Sequence, residues 1–236
     1  MEWQSRTELI MGPEKLEKLR NSHVLVAGLG GVGGIAAEML VRAGIGNITI
    51  ADNDTVHSSN RNRQIIALTS TENHFKADVW GNRLLEINPD LHLTISKEYL
   101  IREAIPAILE TPYDYVVDAI DTLSPKLYLI IQSLQHGYRL VSSMGAGGKF
   151  DPSLVRVSDI ADSYQCRLAH YIRKYLHKKG IYSGFKVVFS TEVVSPETIA
   201  LTPDDINKKS VVGTVSYMPN VFGCFLASVV IRDLIA

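Results

Sequence analysis

Three glycines and one aspartate have the residue types and spacing of a nucleotide-binding turn. Gly28, Gly30 and Gly33 follow a short apolar run, Val24–Val26, and precede a stretch of small residues that predicts a helix. In such a turn the first glycine allows the bend, the second lets a phosphate approach the backbone, and the third lets helix and strand pack closely. Asp52 ends a second apolar run, at the distance expected of an acid that binds ribose hydroxyls. The motif predicts a bound nucleotide and leaves NAD, FAD and ATP open.

Two cations and a further acid narrow the chemistry. Arg63 is suited to a two-point clamp on phosphate, and Lys76 to neutralising phosphate as a point charge. Asp121 is suited to Mg²⁺, which prefers carboxylate and water ligands and bridges phosphates. Together with the glycine turn, where Gly31 adds a further backbone contact, these groups favour attack of a carboxylate on the α-phosphate of ATP, with pyrophosphate leaving.

The elements that must position these residues alternate along the chain. Apolar runs predict strands at Val24–Val26, Asn47–Ile50, Leu91–Leu100, Tyr113–Ala119 and Leu140–Ser143. Segments between and before them predict helices, at Pro13–Leu19, around Lys76 to Leu85 with a cap at Ser70–Glu72, at Ile101–Leu109 and at Pro125–Gln135. The polar stretch Asn53–Gln64 predicts a loop outside the core. Alternation of this kind predicts a Rossmann-like α/β fold, a mostly parallel sheet with helices on both faces.

The second half of the chain has a different pattern. Ser153–Ser158 and Phe185–Ser190 predict strands that extend the same sheet, and Tyr164–Lys179 and Phe222–Ile235 predict helices. The apolar run Val221–Ile231 is too short to span a bilayer and predicts a buried helix. We therefore expect one ATP-binding adenylating domain over 1–236, with a nucleotide-binding half at 1–150 and a substrate and dimer half at 151–236.

Composition sets limits on the partners and the compartment. The chain has 236 residues, with 24 Lys and Arg against 25 Asp and Glu, so any surface for nucleic acid must be local. Two cysteines exclude a disulfide framework and a zinc site of four thiolates. Cys224 is expected to pack as a small hydrophobe, and Cys166 to have the better chance of exposure. The N-terminus has no apolar core of a signal peptide, so we expect a cytoplasmic protein.

Several motifs in order resemble one enzyme family. GLGGVGG, DNDTV, SNRNRQ, FKAD and DAID are similar to the ubiquitin-activating-type adenylating family (ThiF/MoeB/HesA-like). The resemblance implies carboxylate adenylation with ATP and Mg²⁺, at site residues that match Asp52, Asn60, Arg63, Lys76 and Asp121. It also implies a homodimer, in which an N-terminal arginine matched by Arg6 reaches into the partner subunit, and it makes a sulfur-relay protein a candidate partner.

The second half resembles one branch of that family. DAIDTLSPK, GAGGKFDPSLVRVSDIADS, KVVFSTE and PNVFGCF are similar to the branch that dehydrates threonylcarbamoyladenosine in tRNA. This branch is implied to activate the threonyl carboxylate with ATP, after which a neighbouring nitrogen closes a ring with net loss of water. The chain has no CxxC pair of the kind that holds zinc in carrier-activating relatives, and this favours a nucleic-acid substrate.

A local basic stretch agrees with that interpretation. From Tyr164 to Thr191 there is no Asp or Glu, and Arg167, His170 and Lys174 recur at helical spacing. Phosphate neutralisation needs such a strip of positive charge. We expect tRNA to be contacted at Arg167, Arg173 and Lys174.

The sequence leaves two other functions open. One is adenylation of the C-terminus of a ubiquitin-like or sulfur-carrier protein. The other is an NAD-binding oxidoreductase or a non-catalytic nucleotide-sensing module, which the pair of Arg63 and Lys76 disfavours.

Overall fold

A computed structural model of the chain describes residues 2–201 and 210–236. Its strands are β1 His23–Ala27, β2 Asn47–Ala51, β3 His92–Ser96, β4 Tyr115–Asp118, β5 Leu140–Ser143, β6 Val155–Asp159, β7 Lys186–Ser190, β8 Ile199–Leu201 and β9 Ser210–Val212. Seven of them form one sheet in the order β3-β2-β1-β4-β5-β7-β6, and β8 pairs with β9. All neighbours in the large sheet are parallel except β6, which runs antiparallel to β7.

The α-helices cover both faces of the large sheet. They are α1 Ser5–Met11, α2 Pro13–Asn21, α3 Gly33–Ala43, α4 Lys76–Ile87, α5 Ile105–Leu109, α6 Leu123–Gln135, α7 Arg167–His177 and α8 Tyr217–Ile235. Because strand side chains alternate between faces, Val24 and Val26 of β1 pack with α3, α4 and α8, whereas Leu25 and Ala27 pack with α5, α6 and α7. The predicted Rossmann-like fold, with C-terminal strands added to the sheet, is confirmed.

The helix that carries Lys76 begins later than predicted. Ser70–Glu72 was expected to cap it, but α4 begins at Lys76, and a single 3₁₀ turn occupies Thr69–Thr71. The Thr71 hydroxyl explains the difference, because it donates to the Ile66 carbonyl at 2.6 Å and accepts from the Leu68 N–H at 2.9 Å. Local side-chain bonds of this kind compete with a helix.

Other element boundaries also differ from the predictions. α7 begins at Arg167, because Gln165 has a φ of 53° and cannot belong to a right-handed helix. β3 is restricted to His92–Ser96, and α5 begins at Ile105 with its proline in the first turn. The leader before α2 forms the helix α1, which the sequence pattern did not indicate.

The last helix, α8, lies against α3 in the core. Gly223 allows the close approach, because a Cβ at this position would lie 2.5 Å from the Val32 carbonyl oxygen. Among the described residues α8 is the one helix long and apolar enough to cross a membrane by length and composition, and 50% of that window is buried inside the protein. The helix extends beyond the apolar run Val221–Ile231, and it packs as the buried helix that the run predicts.

A candidate nucleotide site at the carboxyl edge of the sheet

The glycine turn connects β1 to α3 and packs against the end of β4. Gly28 has a φ of +88°, and a Cβ there would lie 2.8 Å from the Ala119 carbonyl oxygen. A Cβ on Gly33 would lie 1.8 Å from the Gly28 carbonyl oxygen. Larger residues would therefore push β4 away from the turn or open the turn itself.

The second glycine leaves room above the turn. The nearest atom to a Cβ built on Gly30 is Gln64 Nε2, at 3.8 Å, so the backbone is open to an approaching group. Gly31 is closer to its surroundings, with the Arg63 carbonyl oxygen at 3.1 Å and the Pro219 Cβ at 3.0 Å. α3 begins directly afterwards without a side-chain cap on its first N–H groups. An open backbone and an uncapped helix N-terminus are suited to a phosphate.

Asp52 is fixed by main-chain donors at the end of β2. Its Oδ2 accepts from the Leu29 N–H at 2.6 Å, and its Oδ1 accepts from the Asp54 N–H at 2.8 Å. Burial raises the pKa of the Asp52 carboxyl, while Lys76 and the two N–H groups oppose that rise. The carboxylate is thus tied to the glycine turn and has acceptor capacity left for hydroxyl donors.

Arg63 lies directly beside the turn. Its Nη1 donates to the Ser59 carbonyl oxygen at 2.9 Å and to Asn62 Oδ1 at 2.8 Å. Asn60 is buried, contrary to the prediction of a loop outside the core, and its Oδ1 accepts from the His57 N–H at 3.2 Å. Asn60 therefore organises the loop from which Arg63 projects.

Lys76 forms an ion pair that was not predicted. Its Nζ lies 2.7 Å from Asp54 Oδ2, with 6% of the lysine side chain and 62% of the aspartate side chain exposed. The main chains are also joined, since the Lys76 N–H donates to the Asp54 carbonyl at 2.9 Å. Asp54 thus holds the Lys76 ammonium at the first turn of α4. The ammonium is close enough to Asp52 to act on that carboxyl, and its positive charge lowers the pKa of Asp52.

The two acids that follow β4 have different surroundings. Asp118 is fully buried, where its Oδ2 binds Lys126 Nζ at 2.6 Å and accepts from the Ser142 hydroxyl at 2.5 Å. Asp121 is exposed in the segment that follows Ala119, whose backbone packs under the glycine turn. Asp118 therefore belongs to the fold, and Asp121 is the acid at the edge of the site.

Arg6 is not brought to this turn within one chain. Gln4, at the start of the same N-terminal segment, packs beside Gly44, where a Cβ would lie 3.2 Å from its Nε2. Gly44 lies at the opposite end of α3 from the turn, about 16 Å away along a helix of that length. The exposed side chain of Arg6 is therefore remote from the site of its own chain.

The basic helix α7 presents its charges to solvent, with one exception. Arg167, His170 and Lys174 are exposed on one face, while Ala169, Ile172 and Leu176 pack into the core. Arg173 instead turns back, and its Nη1 donates to the Ser163 carbonyl at 2.7 Å and to the Ser163 hydroxyl.

The expected exposures of the two cysteines are wrong. Cys166 is buried with the core residues of α7, and Cys224 is exposed. On α8, Gly223 faces α3, so the side chain of Cys224, one position later, points away from that contact.

Two contacts near the turn have no local signal in the sequence. Gly34 lies under Trp80, whose ring would be 2.2 Å from a Cβ at that position. Asn62 Nδ2 donates to the Thr214 carbonyl at 2.9 Å, across 152 positions of the chain. A glycine-rich loop after a strand, such as the one that precedes Lys149, is a signal that would have directed attention to a third buried cation at this edge.

Comparisons with known proteins find one family over nearly the whole length of this chain. The ThiF family model matches residues 4–235. A tRNA threonylcarbamoyladenosine dehydratase of Bacillus subtilis (strain 168) is 37% identical over 243 residues, which cover 98% of this chain and 94% of that protein. The crystal structure of an E. coli tRNA N6-threonylcarbamoyladenosine dehydratase, TcdA, in complex with ATP superimposes with a TM-score of 0.88 at 32% identity, covering 99% of this chain and 93% of that one.

A carrier-activating relative matches a shorter part of the chain. The sulfur carrier protein ThiS adenylyltransferase of Escherichia coli (strain K12) is 36% identical over 135 residues, which cover 56% of this chain and 53% of that protein.

Proposed function

The chain belongs to the ThiF family, and from this premise we propose that it is an ATP-dependent tRNA threonylcarbamoyladenosine dehydratase. One observation carries the proposal: the similarity to the Bacillus subtilis dehydratase covers 98% of the chain, whereas the similarity to the ThiS adenylyltransferase covers 56%. The agreement with dehydratases thus includes the C-terminal half, where a substrate other than ATP would be distinguished.

The reaction has two balanced steps. A carboxylate oxygen of the threonyl group bonds to the α-phosphorus of ATP, and the bond to the bridging oxygen breaks so that pyrophosphate leaves. A neighbouring nitrogen then bonds to the activated carbonyl carbon and loses its proton, while AMP leaves with the oxygen that came from the carboxylate. The nucleoside loses one water overall, and ATP becomes AMP and pyrophosphate.

The phosphate-binding groups follow from the geometry of the turn. We assign backbone contacts to Gly28, Gly30, Gly31 and Gly33, because the turn is open above Gly30 and continues into an uncapped helix N-terminus. Arg63 projects beside Gly31 and is suited to the charge that develops on the phosphates. Lys76, held by Asp54, adds a fixed positive charge nearby.

The ribose side of the site is formed by the loop after β2. Asp52 is oriented by two N–H groups and is suited to accept from the ribose hydroxyls. Asn60 is buried in that loop, and we assign it a supporting place in the nucleotide site.

The donor set is compatible with Mg²⁺ held partly by the substrate. Among the described residues no cluster of three metal-ligating side chains occurs, and Asp118 is committed to Lys126. Mg²⁺ commonly uses one or two carboxylates together with phosphate oxygens and water, which is the set that Asp121 and ATP would provide. When bound, the ion neutralises charge on the phosphates.

We propose a homodimer that is joined in part through α1. Its Leu9 and Ile10 are 87% and 84% exposed, which is typical of a surface covered by a partner. Arg6 lies on the same helix and is remote from its own glycine turn. Arg6 of the partner subunit is therefore the residue we assign to complete each site.

The exposed face of α7 is the surface that we assign to tRNA. Arg167 and Lys174 supply positive charge, and Tyr171 and Tyr175 on the same helix are 47% and 46% exposed. Cations interleaved with aromatic rings suit phosphates and unstacked bases. Arg173 contributes by holding the Ser163 loop rather than by facing outward.

Three further assignments rest on the proposed activity. We divide the domain 1–236 into a nucleotide-binding half at 1–150 and a substrate and dimer half at 151–236. We place the protein in the cytoplasm, because a tRNA-modifying enzyme needs access to tRNA. A sulfur-relay protein is kept as a candidate partner because a ThiS adenylyltransferase is among the relatives.

Pyrophosphate release tests the proposal directly. With ATP and Mg²⁺, we expect release with tRNA that bears threonylcarbamoyladenosine and none with the same tRNA unmodified. Equal release with both tRNAs would contradict the proposal.

The second candidate function is adenylation of a carrier protein, which the ThiS adenylyltransferase match favours. A carrier with a diglycine C-terminus would then form an acyl-adenylate on this enzyme while the modified tRNA would not react.

A further inference from the structure

Lys149 is a buried cation outside the nucleotide site. It follows the glycine-rich loop after β5, and only 4% of the residue is exposed. Its Nζ donates to the main-chain carbonyl of Glu192. Burial lowers the pKa of the Lys149 ammonium, and the side chains of Cys166 and Glu192 oppose that shift. The surroundings thus disfavour the charge that this lysine carries.

Within the part of the chain that the structure describes, no carboxylate is paired with this ammonium. No ion pair within residues 2–201 and 210–236 includes Lys149. The carboxylate of Glu192 is used elsewhere, because its Oε2 accepts from the N–H groups of Phe150 at 2.8 Å and Asp151 at 2.9 Å. An uncompensated buried ion costs several kcal/mol, and an anionic ligand offsets that cost by supplying the opposite charge.

The lysine lines a cavity of about 270 Å³. Its other lining residues include Glu192, Val193, Gly213 and Val215. β5 and β7 are parallel neighbours, and Lys149 and Glu192 follow their carboxyl ends. The cavity therefore opens at the same edge of the sheet as the glycine turn.

Two hydrogen bonds join the wall of the cavity to the nucleotide site. Arg63 Nη1 donates to Asn62 Oδ1 at 2.8 Å, and Asn62 Nδ2 donates to the Thr214 carbonyl at 2.9 Å. Thr214 lies between Gly213 and Val215, which both line the cavity. A group bound there would be adjacent to the arginine assigned to the phosphates.

We propose that this cavity receives the threonylcarbamoyl group of the substrate, and that Lys149 binds its carboxylate before adenylation. The inference rests on the proposed function and adds the residue that recognises the reacting anion. The threonyl carboxylate supplies the missing counter-charge. After a carboxylate oxygen has bonded to the α-phosphorus and pyrophosphate has left, the acyl group no longer carries the carboxylate charge. The attraction to Lys149 therefore acts on the unreacted carboxylate.

The test measures how strongly the protein prefers modified tRNA over unmodified tRNA in the presence of a non-hydrolysable ATP analogue. Lys149→Met keeps the apolar stem and removes the charge, whereas Lys149→Arg keeps the charge. Lys15→Met, on the exposed face of α2, is the matched control. We expect Lys149→Met to lower the preference by roughly tenfold or more, because a charge-assisted bond is lost. Affinity for the analogue and for unmodified tRNA stays unchanged, and the other two variants keep the preference.

A second variant covers the case in which Lys149→Met does not fold. Val193 lines the mouth of the cavity and is 72% exposed, so Val193→Trp fills the entrance without disturbing the core. It is expected to remove the preference as well. If a folded Lys149→Met, or in its absence a folded Val193→Trp, keeps the wild-type preference, the inference is overturned. If the wild type itself shows neither preference nor pyrophosphate release with modified tRNA, the proposed function fails.

Discussion

Two buried lysines at the same edge of the sheet have opposite surroundings. Lys126 is fully buried, and its ammonium lies 2.6 Å from Asp118, which also accepts from Ser142. Lys149 is 4% exposed and has a main-chain carbonyl in place of a carboxylate. A cation paired with a fully buried carboxylate therefore holds the fold, whereas a cation without such a partner is available to a ligand. The same contrast recurs at three other pairs of positions.

The largest effect is expected on stability at the matched lysine. Lys126→Met leaves Asp118 buried without its partner, so we expect a loss of about 3–5 kcal/mol in the free energy of unfolding. Lys149→Met strands no carboxylate and removes a buried charge that lacks a paired counter-charge, so no loss of stability is expected. Urea denaturation measures both, and equal losses in the two variants would break the comparison.

The second contrast is between two arginines of one loop. Arg61 pairs with Glu72, whereas Arg63 lies beside the glycine turn. We expect Arg63→Ala to lower the rate of pyrophosphate release by roughly 10²–10³-fold, the range typical for loss of a group that stabilises transition-state charge.

Arg61→Ala is the matched control for that experiment. An exposed ion pair contributes about 0–1 kcal/mol to stability, so this variant is expected to be active and folded. Comparable rates in the two variants would remove Arg63 from the site.

The third contrast is between Asp118, which is paired with Lys126, and Asp52, which is held by two main-chain N–H groups. Burial raises the pKa of Asp52. A carboxyl with a higher pKa in the folded than in the unfolded state stabilises the fold most below its ordinary pKa, and this contribution is lost as the pH rises through the window above it. Asp52→Asn therefore removes the loss of stability that the wild type shows as the pH rises above about 4, the ordinary pKa of an aspartate.

The same variant is expected to bind ATP roughly tenfold more weakly, because the ribose hydroxyls lose a charged acceptor. Chemical denaturation across that pH range, together with a nucleotide titration, checks both effects. If Asp52→Asn loses stability with rising pH as the wild type does, the burial of Asp52 is not the cause of that pH dependence.

The smallest effects are expected on α7. Lys174 is exposed and Arg173 is bonded to Ser163. We expect Lys174→Ala to reduce the dependence of log affinity for tRNA on log salt concentration by about one unit, with stability unchanged. Arg173→Ala is expected to cost about 1 kcal/mol of stability and to leave the salt dependence as it is. The opposite result would exchange the roles of the two residues.

The parts of the fold that could be predicted depend on local patterns. The turn at Gly28–Gly33 and the buried parallel strands are encoded in adjacent residues, so the mostly parallel sheet and the place of Asp52 after its second strand followed from the sequence. The cap at Ser70–Glu72 was wrong because Thr71 bonds to its own loop. The exposures of Cys166 and Cys224 depend on which helix face meets the core, and residue type alone does not settle that.

Pairings across the chain could not be predicted in the same way. The ion pair of Lys76 with Asp54 and the contact of Asn62 with Thr214 depend on how distant segments meet. The glycine-rich loop before Lys149 is a local signal, but its contact with the Glu192 carbonyl, 43 positions away, is not predictable from it. The residue types of the site were recognisable, whereas the partner that each charge would have was not.

The central claim is most directly tested by the mass of the nucleoside after reaction. The protein is incubated with ATP, Mg²⁺ and tRNA that bears threonylcarbamoyladenosine, and the nucleosides are then analysed by mass spectrometry. We predict a product lighter than threonylcarbamoyladenosine by one water, formed together with AMP and pyrophosphate. An unchanged nucleoside alongside full consumption of ATP would contradict the account.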